Sequence, residues 1–230
     1  MPKRDEKYTS PNVFVDVVIF QLIDNELSVL LIKRAREPYK GRWALPGGHN
    51  PVGETTAQSM SRSLYEKAGI KTERLELLEQ LYTFDSLHRD PRGPALTLAY
   101  LSLSRNLIPK ASKSTLNPQF FPVNDLPELA FDHNHIIEYA KDRLASKILY
   151  SNIAFALLPR LFTLSRLQEA HEAILGRKLD KRNYRKKYLS LGLIEATTEY
   201  HMNGAHRPAK LYRFINHKIE YLSRSFDETI

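Results

Sequence analysis

The sequence predicts an α+β chain of two domains, an α/β/α sandwich over residues 1–149 and a small helical domain with a β-hairpin over residues 150–230. Three observations point that way. In the first part, runs of β-branched and apolar residues alternate with segments of helical periodicity, the pattern of a sheet covered by helices. In the last part, two short helical segments lie only a few residues apart and are followed by a pair of strands. Charge changes at the same place. Residues 1–149 carry 20 Lys and Arg against 18 Asp and Glu, a net of +2, whereas residues 150–230 carry 14 against 8, a net of +6. A basic domain beside a nearly neutral one suits a polyanionic partner, although a solvated basic surface has the same composition.

Taken in order, residues 12–20 (NVFVDVVIF) and 26–32 (ELSVLLI) read as strands joined by a tight turn at Asp24 and Asn25. The stretch 33–53 is rich in Pro, Gly and basic residues and reads as a loop. A helix is expected over 55–68, with Ala57, Met60 or Ser61, Leu64 and Ala68 on one face and Gly69 as its stop. Strands fit 77–84 and 95–103, and a second helix runs from an Asp132 N-cap to about residue 146. Residues 147–162 are expected to form a connecting helix interrupted near Pro159. A third helix fits 165–175, with Ser165 and Gln168 as a capping box and Gly176 at its end. Asp180 then caps a fourth, which reaches about Leu191 and Gly192, and two strands flank the loop 200–208. Helix, short turn, helix and hairpin is the order of a winged helix-turn-helix.

Composition bounds the function. The chain has 230 residues, of which 42% are hydrophobic, enough to build real cores. No apolar run approaches the ~18 residues that a spanning helix needs, so no membrane partner is expected. With no cysteine, thiol catalysis, disulfides and thiolate zinc sites are excluded. The N-terminal residues carry no apolar signal segment, and a cytoplasmic location is the expectation.

Residues 48–70 carry the chemistry. Gly48, Glu54, Arg62, Leu64, Glu66, Gly69 and Ile70 stand at the spacing Gly-x5-Glu-x7-Arg-x-U-x-Glu-x2-Gly-U, where U is bulky and aliphatic. This stretch resembles the Nudix box, and the resemblance extends over roughly residues 10–145. It implies a Nudix α/β/α sandwich and a site for a nucleoside diphosphate derivative. Two positions depart: Ser63 and Lys67 stand where the family has glutamates that serve magnesium. Magnesium depends on carboxylate oxygens and substrate phosphates. An ammonium ~4 Å from Mg²⁺ is repelled by roughly 8 kcal/mol at an effective dielectric of about 20. The sequence therefore reads as a domain that binds a nucleotide, needs no cofactor, holds no metal and has no catalytic residue. Glu54 and Arg62 are expected to pair, fastening the loop to the helix.

Around that box, the resemblance to ADP-ribose-type Nudix proteins makes Arg34, Arg36 and Arg42 candidates for phosphate, with Glu66 and Lys67 beside them. Phe14 and Trp43 are candidates for packing against adenine, while core filling is the alternative for Trp43. Asp132 and His133 read as a helix cap and a satisfied imidazole rather than as a catalytic pair.

Residues 181–187 (KRNYRKK) hold five bases in seven positions. Tyr184, Tyr188 and Leu191 share one face and are expected inside, leaving Arg182 and Lys186 outward, with Lys181 and Arg185 on the flanks. In this motif the second helix enters the major groove, and its first residues, here Arg182 and Asn183, read base edges. His206, Arg207 and Lys210 on the hairpin would meet phosphate or a minor groove. Both halves together, including residues 82–85, 89–93, 126–133, 179–186 and 207–212, resemble the NrtR family of Nudix-related regulators of NAD metabolism. That resemblance implies a homodimeric repressor of NAD-metabolism genes on palindromic double-stranded operator DNA, released by ADP-ribose. An active pyrophosphatase with an appended nucleic-acid module, or a docking module in the second half, remain the alternatives that the residues allow.

Overall fold

The computed structural model describes residues 10–111, 115–202 and 208–222. Among them the strands are β1 (Asn12–Ile23), β2 (Glu26–Arg34), β3 (Trp43–Ala44), β4 (Gly47–His49), β5 (Leu77–Phe84), β6 (Ala95–Leu103), β7 (Thr115–Pro122), β8 (Phe162–Thr163), β9 (Ile194–His201) and β10 (Ala209–Phe214). The α-helices are α1 (Thr56–Ala68), α2 (His133–Tyr150), α3 (Leu164–Leu175) and α4 (Lys181–Ser190). No described helix is long and apolar enough to cross a membrane.

Strand β1 is the spine of the main sheet, ordered β3-β2-β1-β6-β5, with β4 paired to β1 and β7 to β2. It runs parallel to β6 and antiparallel to β2 and β4. Because both faces are covered, its residues are buried without a break from Val15 to Leu22. Alternation sorts them: Val15, Val17 and Ile19 pack with Met60, Leu64 and Ala68 of α1, while Val18, Phe20 and Leu22 pack with Ile136, Ala140 and Leu144 of α2. Asp24 and Asn25 both have positive φ, as the tight turn between β1 and β2 requires. Helix α1 starts with a capping box in which the Gln58 amide donates to Thr55 Oγ1 at 3.2 Å and the Thr55 amide donates to Gln58 Oε1 at 2.9 Å.

Several expectations need correction. The stretch 33–53 contains β3 and β4, and Gly47 explains why β4 can lie so close to β1. A Cβ there would stand 2.3 Å from both the Val15 carbonyl oxygen and an Asp16 carboxylate oxygen. Strand β7 is invisible in the sequence because Pro118 and Pro122 lie within it. Its pairing with β2 shifts register where Asn117 has φ of +52°, an irregularity that accommodates a proline. No helix joins the halves over 147–162: α2 continues to Tyr150, a single 3-10 turn spans Ile153–Ala156, and β8 follows. Helix α3 is capped by Thr163, whose Oγ1 accepts from the Arg166 amide at 3.1 Å, so the Ser165–Gln168 box does not form. Helix α4 is capped as expected, Asp180 accepting from the Asn183 amide at 2.8 Å.

The larger core does not stop at α2. Phe155, Phe162, Leu167, Tyr184, Tyr188 and Phe214 belong to the same apolar cluster as Phe20 and Ile137. Each such side chain contributes roughly 1.5–3 kcal/mol when fully buried. Asn152 adds a polar stitch: its Nδ2 donates to the Lys218 carbonyl at 3.0 Å and its Oδ1 accepts from the Glu220 amide at 2.8 Å. The chain after β10 is thereby tied to the end of α2.

Candidate nucleotide site and nucleic-acid interface

A cavity of about 490 Å³ opens among β1, β2, β4, the last turn of α1, the loop before β6 and the start of α2. Five of the side chains expected from the sequence line it: Phe14, Arg34, Arg36, Glu66 and Lys67. Phe14 meets His49 edge to face at 5.4 Å. Arg34 donates from Nε to the Pro38 carbonyl at 2.8 Å, and its guanidinium lies 4.6 Å from the Phe131 ring. Burial, and then the charge of Arg92, pull its pKa down. Arg36 is exposed at the rim.

Arg42 and Trp43 do not reach this cavity. Arg42 pairs with Glu128 at 2.8 Å and lies over Tyr39. Trp43 packs against Phe121 of β7 with ring centroids 4.6 Å apart, which is the core-filling alternative.

The floor of the cavity holds residues that the sequence does not single out as ligand contacts. Arg89 is almost fully buried and grips Asp132 with two hydrogen bonds, Nε to Oδ2 at 3.1 Å and Nη2 to Oδ1 at 2.9 Å. Its Nη2 also lies 3.6 Å from Asp16. Asp132 precedes α2 but its carboxylate is spent on Arg89 and caps no amide. His133 accepts from the Leu45 amide on Nδ1 at 2.9 Å, and burial pulls its pKa down, so the ring is neutral. It is a satisfied structural imidazole. Arg92 donates twice to Asp90, at 2.9 and 2.6 Å, while its guanidinium sits 5.3 Å from Phe14 and 5.9 Å from Phe131. The hydrogen bond from Arg92 holds the Asp90 carboxyl below its ordinary range. Two features of the sequence could have drawn attention to these residues: the Arg-Asp-Pro-Arg-Gly run at 89–93, and a lone carboxylate, Asp16, inside an apolar strand.

The box itself is held by Arg62. Its Nε donates to both Glu54 oxygens at 2.9 and 3.0 Å, Nη1 reaches Glu66 at 3.3 Å, and Nη2 donates to the His49 carbonyl at 3.2 Å. The expected loop-to-helix pair is present, and the Arg62 hydrogen bond keeps the Glu54 carboxyl low. Ser63 is not on the cavity wall. It is buried behind Gly48, where a Cβ on the glycine would stand 2.7 Å from Ser63 Oγ. Only Glu66 and Lys67 of the last helical turn face the cavity. Desolvation lowers the Lys67 pKa, Glu66 raises it, and Arg36 and Arg34 lower it further. These residues do not fit the magnesium that a Nudix box implies. In the last turn of α1 one carboxylate, Glu66, stands beside the Lys67 ammonium, and Asp16 and Asp90 of the same cavity lie against arginines.

At the other end of the chain, Tyr184 and Tyr188 of α4 are buried against His171 of α3, with ring centroids 5.3 Å apart in each case. That packing turns Lys181, Arg182, Asn183 and Lys186 outward, and all four are exposed, as is Lys210 on β10. Arg185 is half-buried and donates to Ser165 Oγ of α3 at 3.0 Å, a contact that fastens the two helices. His206 and Arg207 lie outside the described residues.

A family model described as the NrtR DNA-binding winged helix domain matches residues 154–214, and the NUDIX domain model matches residues 13–140. Over 212 residues the chain is 34% identical to the ADPR responsive transcriptional repressor NtrR of Acinetobacter baylyi, covering 90% of this chain and 83% of that protein. The chain belongs to the NrtR family. The crystal structure of Shewanella oneidensis NrtR complexed with a 27mer DNA matches with a TM-score of 0.76 and 30% identity, covering 93% of this chain and 98% of that one. The NUDIX domain of the same NrtR, in a cocrystal structure with ADP ribose, matches with a TM-score of 0.55 and 34% identity over 62% of this chain and 94% of that one. The NrtR winged-helix match takes in α3, α4 and the β9–β10 hairpin, the elements that present the basic surface.

Proposed function

We propose that this NrtR-family chain is a repressor of NAD-metabolism genes that binds palindromic operator DNA as a homodimer. ADP-ribose or a related nucleotide, held in the Nudix cavity without hydrolysis, releases it. The observation that carries this reading is the pairing, in one chain, of a cation-rich cavity at the Nudix box with an outward basic helix. The cavity's volume falls within the roughly 300–1,000 Å³ of small-molecule sites. Phe14 and Phe131 offer faces to a purine, and Arg34 and Arg36 offer forked donors to phosphate. On α4, Arg182 suits guanine and Asn183 adenine, while Lys181, Lys186 and Lys210 suit phosphates. Two copies related by a two-fold axis would present two such helices to a palindrome. Release requires that the ligand favour one geometry of the pair over the other.

Fluorescence anisotropy of an operator selected from a random DNA library tests this. Adding ADP-ribose should free the DNA, and high salt should weaken binding steeply. DNA binding that ignores the nucleotide would remove the sensor role. Product analysis with ADP-ribose and Mg²⁺ should show no turnover, and AMP with ribose 5-phosphate at enzyme-like rates would restore the pyrophosphatase reading.

A further inference from the structure

A diphosphate brings two negative charges, and a Nudix site ordinarily meets them with a dication. This cavity is supplied differently. Arg34 comes from the end of β2, Arg36 from the loop after it, Lys67 from the last turn of α1 and Arg92 from the loop before β6. Three of the four carboxylates in the lining are engaged with guanidinium groups, Asp90 with Arg92, Asp16 near Arg89 and Glu66 with Arg62, while Glu37 at the exposed rim accepts from the Lys40 amide. Arg34, by contrast, directs its Nε to a backbone carbonyl, which leaves its charge unneutralised by that bond. Lys67 stands at the C-terminal end of α1, the negative pole of the helix, where a cation is favoured. Burial and the nearby Arg36 and Arg34 disfavour the Lys67 ammonium while Glu66 favours it, and a bound anion would add to that favourable side.

We infer that this cavity takes the diphosphate of its nucleotide without a divalent cation, the Lys67 ammonium standing where the metal would and Arg34 and Arg36 completing the cradle. The inference rests on the nucleotide-binding reading above and adds to it the cation requirement. Magnesium and Lys67 compete for one position, so added metal brings no gain.

Calorimetric titrations with ADP-ribose and, separately, with inorganic pyrophosphate test it on the full chain, first in EDTA and then in Mg²⁺. Wild-type affinity should be equal within about twofold in the two buffers, and Lys67→Met should weaken both ligands by about tenfold or more in EDTA, the size of a lost charge-assisted hydrogen bond. Lys67→Arg should keep most of the affinity. Lys67→Glu should lose the most in EDTA and recover part of it when Mg²⁺ is added, a recovery that a merely misfolded variant would not show. A wild-type protein that gains about tenfold or more with Mg²⁺, or a Lys67→Met protein equal to wild type in EDTA, overturns the inference. If ADP-ribose frees the operator only with Mg²⁺, the repressor reading stands and this inference falls. If pyrophosphate binds in EDTA through Lys67 while ADP-ribose leaves operator binding untouched, the reverse holds.

Discussion

His171 shows how much a single buried side chain sets the behaviour of the DNA-binding half. Its ring is fully enclosed, with Nδ1 2.9 Å from the Leu167 carbonyl oxygen and 3.0 Å from the Tyr184 hydroxyl. Burial pulls its pKa from 6.5 down to about 4. The folded value lies below the unfolded one, so protonation favours unfolding. The stabilisation is complete above the unfolded pKa and is lost as pH falls from there towards the folded one. A gap of this size corresponds to something on the order of 3 kcal/mol. His133 acts in the same sense beneath the cavity. Denaturant midpoints measured at pH 7 and pH 5 should therefore fall at the lower pH, and His171→Phe should flatten the difference without abolishing it; an unchanged slope would assign the effect elsewhere. Arg89 is a second case. Replacing it with Met would remove the cation that lies between Asp16 and Asp132, at a cost of about 3–5 kcal/mol, visible as a large drop in Tm.

Helix α4 is short, so its end carries weight. Asp180→Ala removes the bond to the Asn183 amide and should cost about 1 kcal/mol, read as a lower Tm and weaker operator binding. Lys186→Ala should lower operator affinity evenly across DNA sequences and reduce the slope of log affinity against log salt by about 1, whereas Arg182→Ala should also relax sequence preference. An Arg182→Ala protein with unchanged preference would move Arg182 from base to backbone. Helices α1 and α4 can be read from the sequence because their caps and stops are local: Thr55 and Gln58, Gly69, Asp180, Gly192. Strand β7 cannot, because its prolines and Asn117 mimic a loop and only the pairing with β2 makes it a strand. The cavity divides the same way. Arg34, Arg36, Glu66 and Lys67 stand near or within a recognisable box, but Asp16, Arg89, Arg92 and Phe131 reach it from distant segments that only the tertiary fold brings together. Spacing along the chain likewise cannot tell that Arg42 turns outward or that Ser63 lies behind Gly48.

One apolar core unites the sheet, α2 and the winged helix, and the six residues 153–158 that lie between them are all buried. The division expected near residue 149 lies at the end of α2, beside this buried stretch, and neither composition nor charge reports what the linking residues pack against. Helix α2 has 18 residues and is roughly 27 Å long at 1.5 Å per residue. Its first residue, His133, lines the cavity, and Ser151 and Asn152 just beyond its last are tied to the segment after β10. Scanning calorimetry should accordingly give one cooperative transition for the whole chain, raised by ADP-ribose; two separate transitions with only the first ligand-sensitive would contradict a shared core. Asn152→Ala should cost about 1 kcal/mol by removing the partners of the part-buried Lys218 carbonyl and Glu220 amide and should blunt the nucleotide's effect on DNA affinity. The placement of Trp43 has its own consequence. It is the chain's single tryptophan, its backbone carbonyl accepts from the Ala130 amide, and two residues later the Leu45 amide holds His133. An effector settling against His133 and Phe131 should therefore change the emission of an indole that it never touches, so occupancy can be followed by light on unlabelled protein.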